Sequence, residues 1–302
     1  LKKDKMKKIY LFFAALLFSA GLFSQKKIQL PEIKEITAGK KATVAVSVLD
    51  FQDGTSYHLS AGKSMPMLSV FKFHIALAAL DQVDKGTLQL KQEFLITKED
   101  LKENTYSPVR KLYPDGNTYL TLEKMLYYMV AESDNNLTDY LLNLLGGPDY
   151  VHQYIKNKGV RDTDIRADED IMHQGFKYMY LNTTTSKAAT DLLQKFYKGN
   201  ILSKPSTDTL LNIMLTTSTG ANKLKLLLPA GTQIAHKTGS SGKDETGLTV
   251  AENDMGIIVL PSGKVYAIAV FIKDSRESEE INTKMIADIS GVVYQYFTKK
   301  YN

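Results

Sequence analysis

The apolar positions divide this chain into strand-like ends and a helix-rich middle. Ala42–Phe51 carries Val44, Val46 and Val48 in loose alternation and runs into Asp53-Gly54, a tight-turn pair, so the spacing predicts a strand entering a hairpin. Near the C-terminus, Asp254–Pro261 and Val265–Lys273 are β-rich runs around Pro261-Ser262-Gly263 and predict a second hairpin. The period then changes. Ile281, Met285, Ile289, Val292, Val293 and Phe297 recur at helical spacing over Ile281–Phe297. Between the ends, helical spacing covers Val70–Val83, Leu122–Tyr128, Asn136–Leu145, Asp149–Lys158, Ser186–Tyr197 and Thr207–Leu215.

This order predicts an α/β chain of the α+β type. An antiparallel sheet is built from N- and C-terminal strands, flanked by helices, with an all-helical subdomain inserted between them. The sheet part is expected at about 25–65 and 220–302 and the helical part at about 66–219, together one domain over 25–302. No repeat, low-complexity tract or linker interrupts it. A cleft where the two parts meet is the natural place for a site.

The first 24 residues stand apart. Five lysines precede the apolar run Ile9–Phe23, which at 15 residues is short for a membrane span. It fits the core of a signal peptide, with Met6 as a candidate start and cleavage after Gly21 or Ser24. Export to the periplasm is therefore expected. Most of the formal charge of +5 belongs to this segment: beyond it, 33 basic residues face 32 acidic ones. The basic balance thus gives no argument for nucleic acid. Cys is absent, which excludes disulfides, thiolate metal sites and a cysteine nucleophile.

Three short motifs carry chemistry. Ser-x-x-Lys occurs at Ser24, Ser60, Ser69 and Ser240. Context selects Ser69-Val70-Phe71-Lys72, because Ser69 opens the most apolar helical stretch beyond the leader. There its hydroxyl lies near unpaired N–H groups, and Lys72 projects from the same face one turn later. Phe71, Phe73, Ile75 and Ala76 surround the lysine in sequence, and burial of an ammonium favours its neutral, basic form. An N-cap serine with a snorkelling lysine is the bland alternative.

Ser133-Asp134-Asn135 is the second motif. Its hydroxyl can relay a proton to a leaving nitrogen and Asn135 can hold a carbonyl, although such residues also cap helices. In Lys237-Thr238-Gly239, followed by Ser240-Ser241, Lys237 offers charge and Thr238 a hydroxyl to a carboxylate. Gly239 permits close approach to a strand, and the Ser240 N–H can join that of Ser69 in an oxyanion hole.

In this order the three motifs resemble those of the serine β-lactamases and penicillin-binding proteins. Separations of 64 residues (Ser69 to Ser133) and 104 residues (Ser133 to Lys237) resemble a class A β-lactamase over nearly the whole mature chain. The resemblance implies a catalytic set of Ser69, Lys72, Ser133 and Glu169, the last standing where class A enzymes carry their loop glutamate. It implies an oxyanion hole at Ser69 and Ser240, and substrate contacts from Tyr106, Asn135, Lys237, Thr238, Gly239 and Ser241. It further implies a small-molecule β-lactam partner, no cofactor, no metal, no nucleic acid, no membrane attachment after cleavage, and a monomer.

The departures from the common class A pattern resemble the extended-spectrum branch typified by the PER and VEB enzymes. His173 replaces the water-holding Asn of the loop, the Arg–Asp pair that ties it becomes Ala167 and Asn182, and Asp139 stands where Asn is commoner. A differently arranged loop and a cleft open to oxyimino-cephalosporins are expected, with His173 positioning the water or bracing the loop. Lys223 stands where that branch carries a carboxylate-binding Arg and lacks the bidentate fork; Arg276 is the other candidate. The five histidines show no zinc-hydrolase spacing. Alternative functions are a D,D-peptidase, which shares the three motifs, and a non-hydrolysing β-lactam sensor domain.

Overall fold

The computed structural model describes residues 28–302; the expected leader lies outside the described residues. The chain begins with helix α1 (Pro31–Thr37) and strands β1 (Thr43–Asp50), β2 (Ser56–Leu59) and β3 (Met65–Pro66). A long helix-rich excursion follows: α2 (Phe71–Asp84), β4 (Glu93–Ile96), α3 (Pro108–Leu112), β5 (Thr118–Thr121), α4 (Leu122–Val130), α5 (Asn135–Leu145) and α6 (Pro148–Asn157). It continues through β6 (Thr163–Asp164), α7 (Glu169–His173), β7 (Thr183–Thr184), α8 (Ser186–Tyr197) and α9 (Lys204–Leu215). The chain then returns as β8 (Gln233–Ser240), β9 (Thr249–Val259), β10 (Val265–Ser275) and α10 (Glu279–Tyr301).

The main sheet has the order β2-β1-β10-β9-β8, with every neighbouring pair antiparallel. Both ends of the chain therefore share one sheet. Its two faces support separate cores, because successive side chains in a strand point to opposite faces. Val44, Val46, Val48, Ile268, Val270 and Ile272 meet Met285, Ile286, Ile289, Val293 and Phe297 of α10. Ala45, Leu49, Ala267, Ala269 and Phe271 join the core shared with the helical part. The alternation in β1 is loose because both of its faces are covered.

Helix α2 runs through the centre of the helical part, and every residue from Phe71 to Asp81 is buried. A helix enclosed on all sides needs an apolar surface nearly all round, which this one has. Several boundaries differ from the periodicity, α10 among them, which runs over Glu279–Tyr301 rather than Ile281–Phe297. Helix α9 starts three residues before Thr207, because the Ser203 hydroxyl accepts the Ser206 N–H and Pro205 occupies the first turn. Strand β9 starts five residues before Asp254: of those residues Glu252 lines the site, while Val250 and Ala251 pack with Leu68 in a small separate cluster. Among the described residues no helix is long and apolar enough to cross a membrane.

Candidate active site

Ser69 lies in a 3₁₀ turn, Leu68–Val70, that leads into α2. Leu68 has φ 46°, a left-handed backbone that costs a non-glycine residue energy and persists only where packing enforces it. That packing comes from the sheet. Asn253 of β9 donates from Nδ2 to Pro66 O at 2.7 Å and to Met67 O at 3.2 Å. Strand β8 passes so close that a Cβ on Gly239 would lie 2.4 Å from Met67 O and 3.1 Å from the backbone nitrogens of Ser69 and Val70. The glycine of Lys237-Thr238-Gly239 thus accommodates the serine turn itself, not only a ligand.

Lys72 is fully buried, but its ammonium does not end among the aromatic neighbours its sequence context suggested. The stem packs there and the head reaches a polar centre. Nζ donates to Ser69 Oγ at 2.9 Å, to Ser133 O at 2.8 Å and to Asn135 Oδ1, and Ser133 Oγ lies 3.4 Å away. Glu169 Oε1 completes the group as an ion-pair partner at 3.0 Å. That contact falls outside hydrogen-bonding angles, so Oε1 retains an unused lone pair.

Ser133 is held with φ 61°, a second strained position at this centre. Asp134 caps α5 through Leu137 N and also accepts from Ser107 Oγ and Val109 N, both at 2.8 Å. Asn135 N donates to Tyr106 O at 3.0 Å, which places the half-exposed Tyr106 ring at the rim. The capping role and the site role of Ser133-Asp134-Asn135 are therefore carried by different residues of one motif. Across the cleft, Lys237 Nζ donates to Ser133 Oγ and Thr238 O, each at 3.0 Å. Complete burial, together with the nearby charges of Lys72 and Lys223, pushes its ammonium well below the usual lysine range.

Glu169 opens the short helix α7, and two residues missed as site builders place it. Asp139 of α5 accepts Glu169 N at 2.7 Å and Asp170 N at 3.1 Å. The Asn182 side chain bonds to the backbone of Arg166 and Ala167. The tie lost with the Arg–Asp pair is thus replaced by an amide gripping the backbone. Only the absence of that pair was visible in sequence. His173 Nδ1 donates to Glu169 O at 2.6 Å, and its Nε2 lies 3.2 Å from Thr105 Oγ1, which accepts from Asn135 Nδ2 at 2.8 Å. This chain of bonds makes His173 a brace between the loop and the Asn135 side of the cleft.

Ser69, Tyr106, Ser133, Asn135, Glu169, His173, Thr238, Gly239, Ser240 and Ser241 all line one cleft of about 400 Å³, within the range of small-molecule sites. Lys72 and Lys237 lie in its wall through the bonds given above. Lys223 also lines it, buried and paired with Glu252, whereas the exposed Arg276 is turned to Thr246 O and is not among the lining residues. Among the described residues no group of three or more His, Asp or Glu side chains is disposed to hold a metal ion.

The profile of the Beta-lactamase enzyme family matches residues 31–297. The chain is 40% identical over 277 residues to the extended-spectrum β-lactamase PER-1 of Pseudomonas aeruginosa, covering 92% of this chain and 90% of that relative. It is 38% identical over 298 residues to the β-lactamase VEB-1 of Pseudomonas aeruginosa, covering 98% and 99%. A crystal structure of a representative class A β-lactamase from Bacteroides cellulosilyticus superposes with a TM-score of 0.86 at 39% identity, covering 89% of this chain and 96% of that one. With its serine cleft built on this fold, the chain belongs to the β-lactamase enzyme family, as a class A serine β-lactamase.

Proposed function

We propose that this enzyme opens penicillins and cephalosporins, oxyimino-cephalosporins included, through an acyl-enzyme on Ser69. The observation that carries the reading is the convergence on one buried ammonium, Lys72 Nζ, of Ser69 Oγ, Ser133 and Glu169 Oε1. Ser69 Oγ attacks the lactam carbonyl carbon, and its proton passes into the Lys72/Glu169 pair. The N–H groups of Ser69 and Ser240 receive the developing oxyanion. The ring C–N bond then breaks, and Ser133 Oγ delivers a proton to the leaving nitrogen while Lys72 and Lys237 keep that hydroxyl supplied.

Hydrolysis of the ester needs a second base. Glu169 takes a proton from a water that attacks the acyl carbon, and Ser69 leaves with its proton restored. Lys237, Thr238 and Ser241 face the ring carboxylate, Asn135 the side-chain amide, and Tyr106 the rim. Support for the oxyimino spectrum comes from the loop tied by Asn182 and Asp139 in place of an ion pair, and from the extended-spectrum name borne by PER-1. We further propose that the chain acts in the periplasm after removal of its leader.

The test is turnover of nitrocefin and of an oxyimino-cephalosporin by the mature protein, with Ser69→Ala as partner. Expected are multiple turnovers by the wild type and no covalent adduct in the variant. An adduct on Ser133 or Ser240 overturns the assignment, and failure on every oxyimino-cephalosporin overturns the spectrum alone.

A further inference from the structure

The far end of the cleft holds an acid where an incoming anion needs a cation. Lys223 and Glu252 both line the cleft, and both side chains are about 5% exposed. Lys223 Nζ pairs with Glu252 Oε1 at 2.5 Å, donates to Ser240 Oγ at 2.9 Å and donates to Asn253 O at 3.1 Å. Ser240 and Asn253 take two of its N–H bonds, and the Glu252 contact is an ion pair outside hydrogen-bonding angles that pairs its charge. The exposed Ser240 hydroxyl has one proton, and it is given to Glu252 Oε1 at 2.6 Å. The Ser240 proton cannot turn to a substrate carboxylate without leaving Glu252, and the Lys223 charge meets that carboxylate already paired.

We propose that Glu252 is a specificity-determining residue, an internal carboxylate that takes up the Ser240 proton and the Lys223 charge a β-lactam's ring carboxylate would otherwise use. Strand register explains its reach, because Glu252 of β9 stands directly opposite Ser240 of β8. Opposed residues in an antiparallel pair bring their side chains together on one face. Two consequences follow. The charge of Lys223 is neutralised before substrate arrives, and an anion approaching Ser240 meets a like charge. Lys237 then remains as the cation of that end, already bonded to Ser133 and Thr238. Glu252 therefore narrows the preference for ionised over uncharged β-lactams.

This inference rests on β-lactam turnover by this cleft, which the wild type tests by itself. One cephalosporin is offered as the free acid and as its methyl ester. Glu252→Gln keeps the shape and removes the charge, leaving Lys223 uncompensated and the Ser240 proton on a neutral, weaker acceptor. The acid-over-ester ratio of kcat/KM is expected to rise about tenfold, the scale of one charge-assisted hydrogen bond, through a lower KM for the acid. An unchanged or falling ratio overturns the proposal, since a purely structural role affects both forms alike.

Because Glu252→Gln leaves a buried ammonium unpaired, a second variant guards against misfolding. Replacing both partners by Met removes the pair without orphaning either charge. If Glu252 already cancels Lys223, Lys223→Met/Glu252→Met loses the cation together with the acid that pairs it and releases the Ser240 proton, so the ratio stays at or above the wild-type value, and a tenfold fall overturns the proposal.

Discussion

Asn182 grips Ala167 from both sides of the residue: its Oδ1 accepts the Ala167 N–H at 2.9 Å, and its Nδ2 donates to Ala167 O at 2.8 Å. The same Oδ1 accepts Arg166 N at 2.7 Å. Asn182 is fully buried, so no water replaces these bonds when they are lost. Asn182→Ala is expected to destabilise the fold by about 2–3 kcal/mol, at roughly 1 kcal/mol per lost bond. Urea unfolding measures this. Acyl-enzyme breakdown should slow as well, because the loop that presents Glu169 loses its tie. A variant as stable as the wild type would show that the loop is held elsewhere.

Glu169 is the carboxylate beside Lys72, and the mechanism gives it an unshared task in the second half-reaction. In Glu169→Ala, Ser69 still has Lys72 at 2.9 Å as a route for its proton. The ester then lacks a base to activate water. Mass spectrometry after mixing with a penicillin should show the acyl-enzyme persisting, with steady-state turnover down by roughly 10²–10⁴, the usual worth of a general base. Wild-type turnover in this variant would remove Glu169 from the mechanism.

Gly239 separates strand β8 from the serine turn. A methyl group there would sit 2.4 Å from Met67 O, a backbone atom that can move only by shifting the Ser69 turn. Gly239→Ala is expected to cost about 1–3 kcal/mol of stability, as overpacking does, and to lower kcat/KM further than that loss explains. Comparing thermal unfolding with the rate of nitrocefin acylation separates the two effects. Unaltered acylation would mean that the turn tolerates displacement.

Asp139 carries a pH signature. Burial, with the nearby charges of Glu169, Asp168 and Asp170, raises its carboxyl to about 7 against the opposing pull of the Glu169 N–H bond. The folded state therefore holds this proton over a range in which the unfolded chain, near 4 for an ordinary Asp, has released it. Stability contributed by the group is fully present below about pH 4 and is lost as pH rises to about 7. Stability of the wild type relative to Asp139→Asn should thus decline between these values and level off above them. Denaturant titrations across pH 4–8 provide the check, and a flat difference would show that Asp139 ionises like an exposed carboxylate.

Local pattern determined a large part of this protein. The Ser69, Ser133 and Lys237 motifs, the strand-like ends and the central helices are written in residue type and spacing, because sequence neighbours set helix and strand periodicity directly. Side chains that act across the fold were hidden from that reading. Lys72 sits among aromatic residues in sequence, yet its head group meets Asn135 and Glu169 in space. Strand β8 carries polar residues on the face that forms the site, so it lacks the apolar alternation that marks β1. Asp139, Asn182 and Asn253 are ordinary polar residues by type, and only tertiary structure turns them onto the backbone of the loop and the serine turn. The same holds for Glu252 and Lys223, 29 positions apart, whose pairing depends on the segment before β8 folding against β9. A hydrogen bond or ion pair is decided by a distance of about 3 Å, and for residues far apart in the chain that distance exists only once the sheet has closed against the helices.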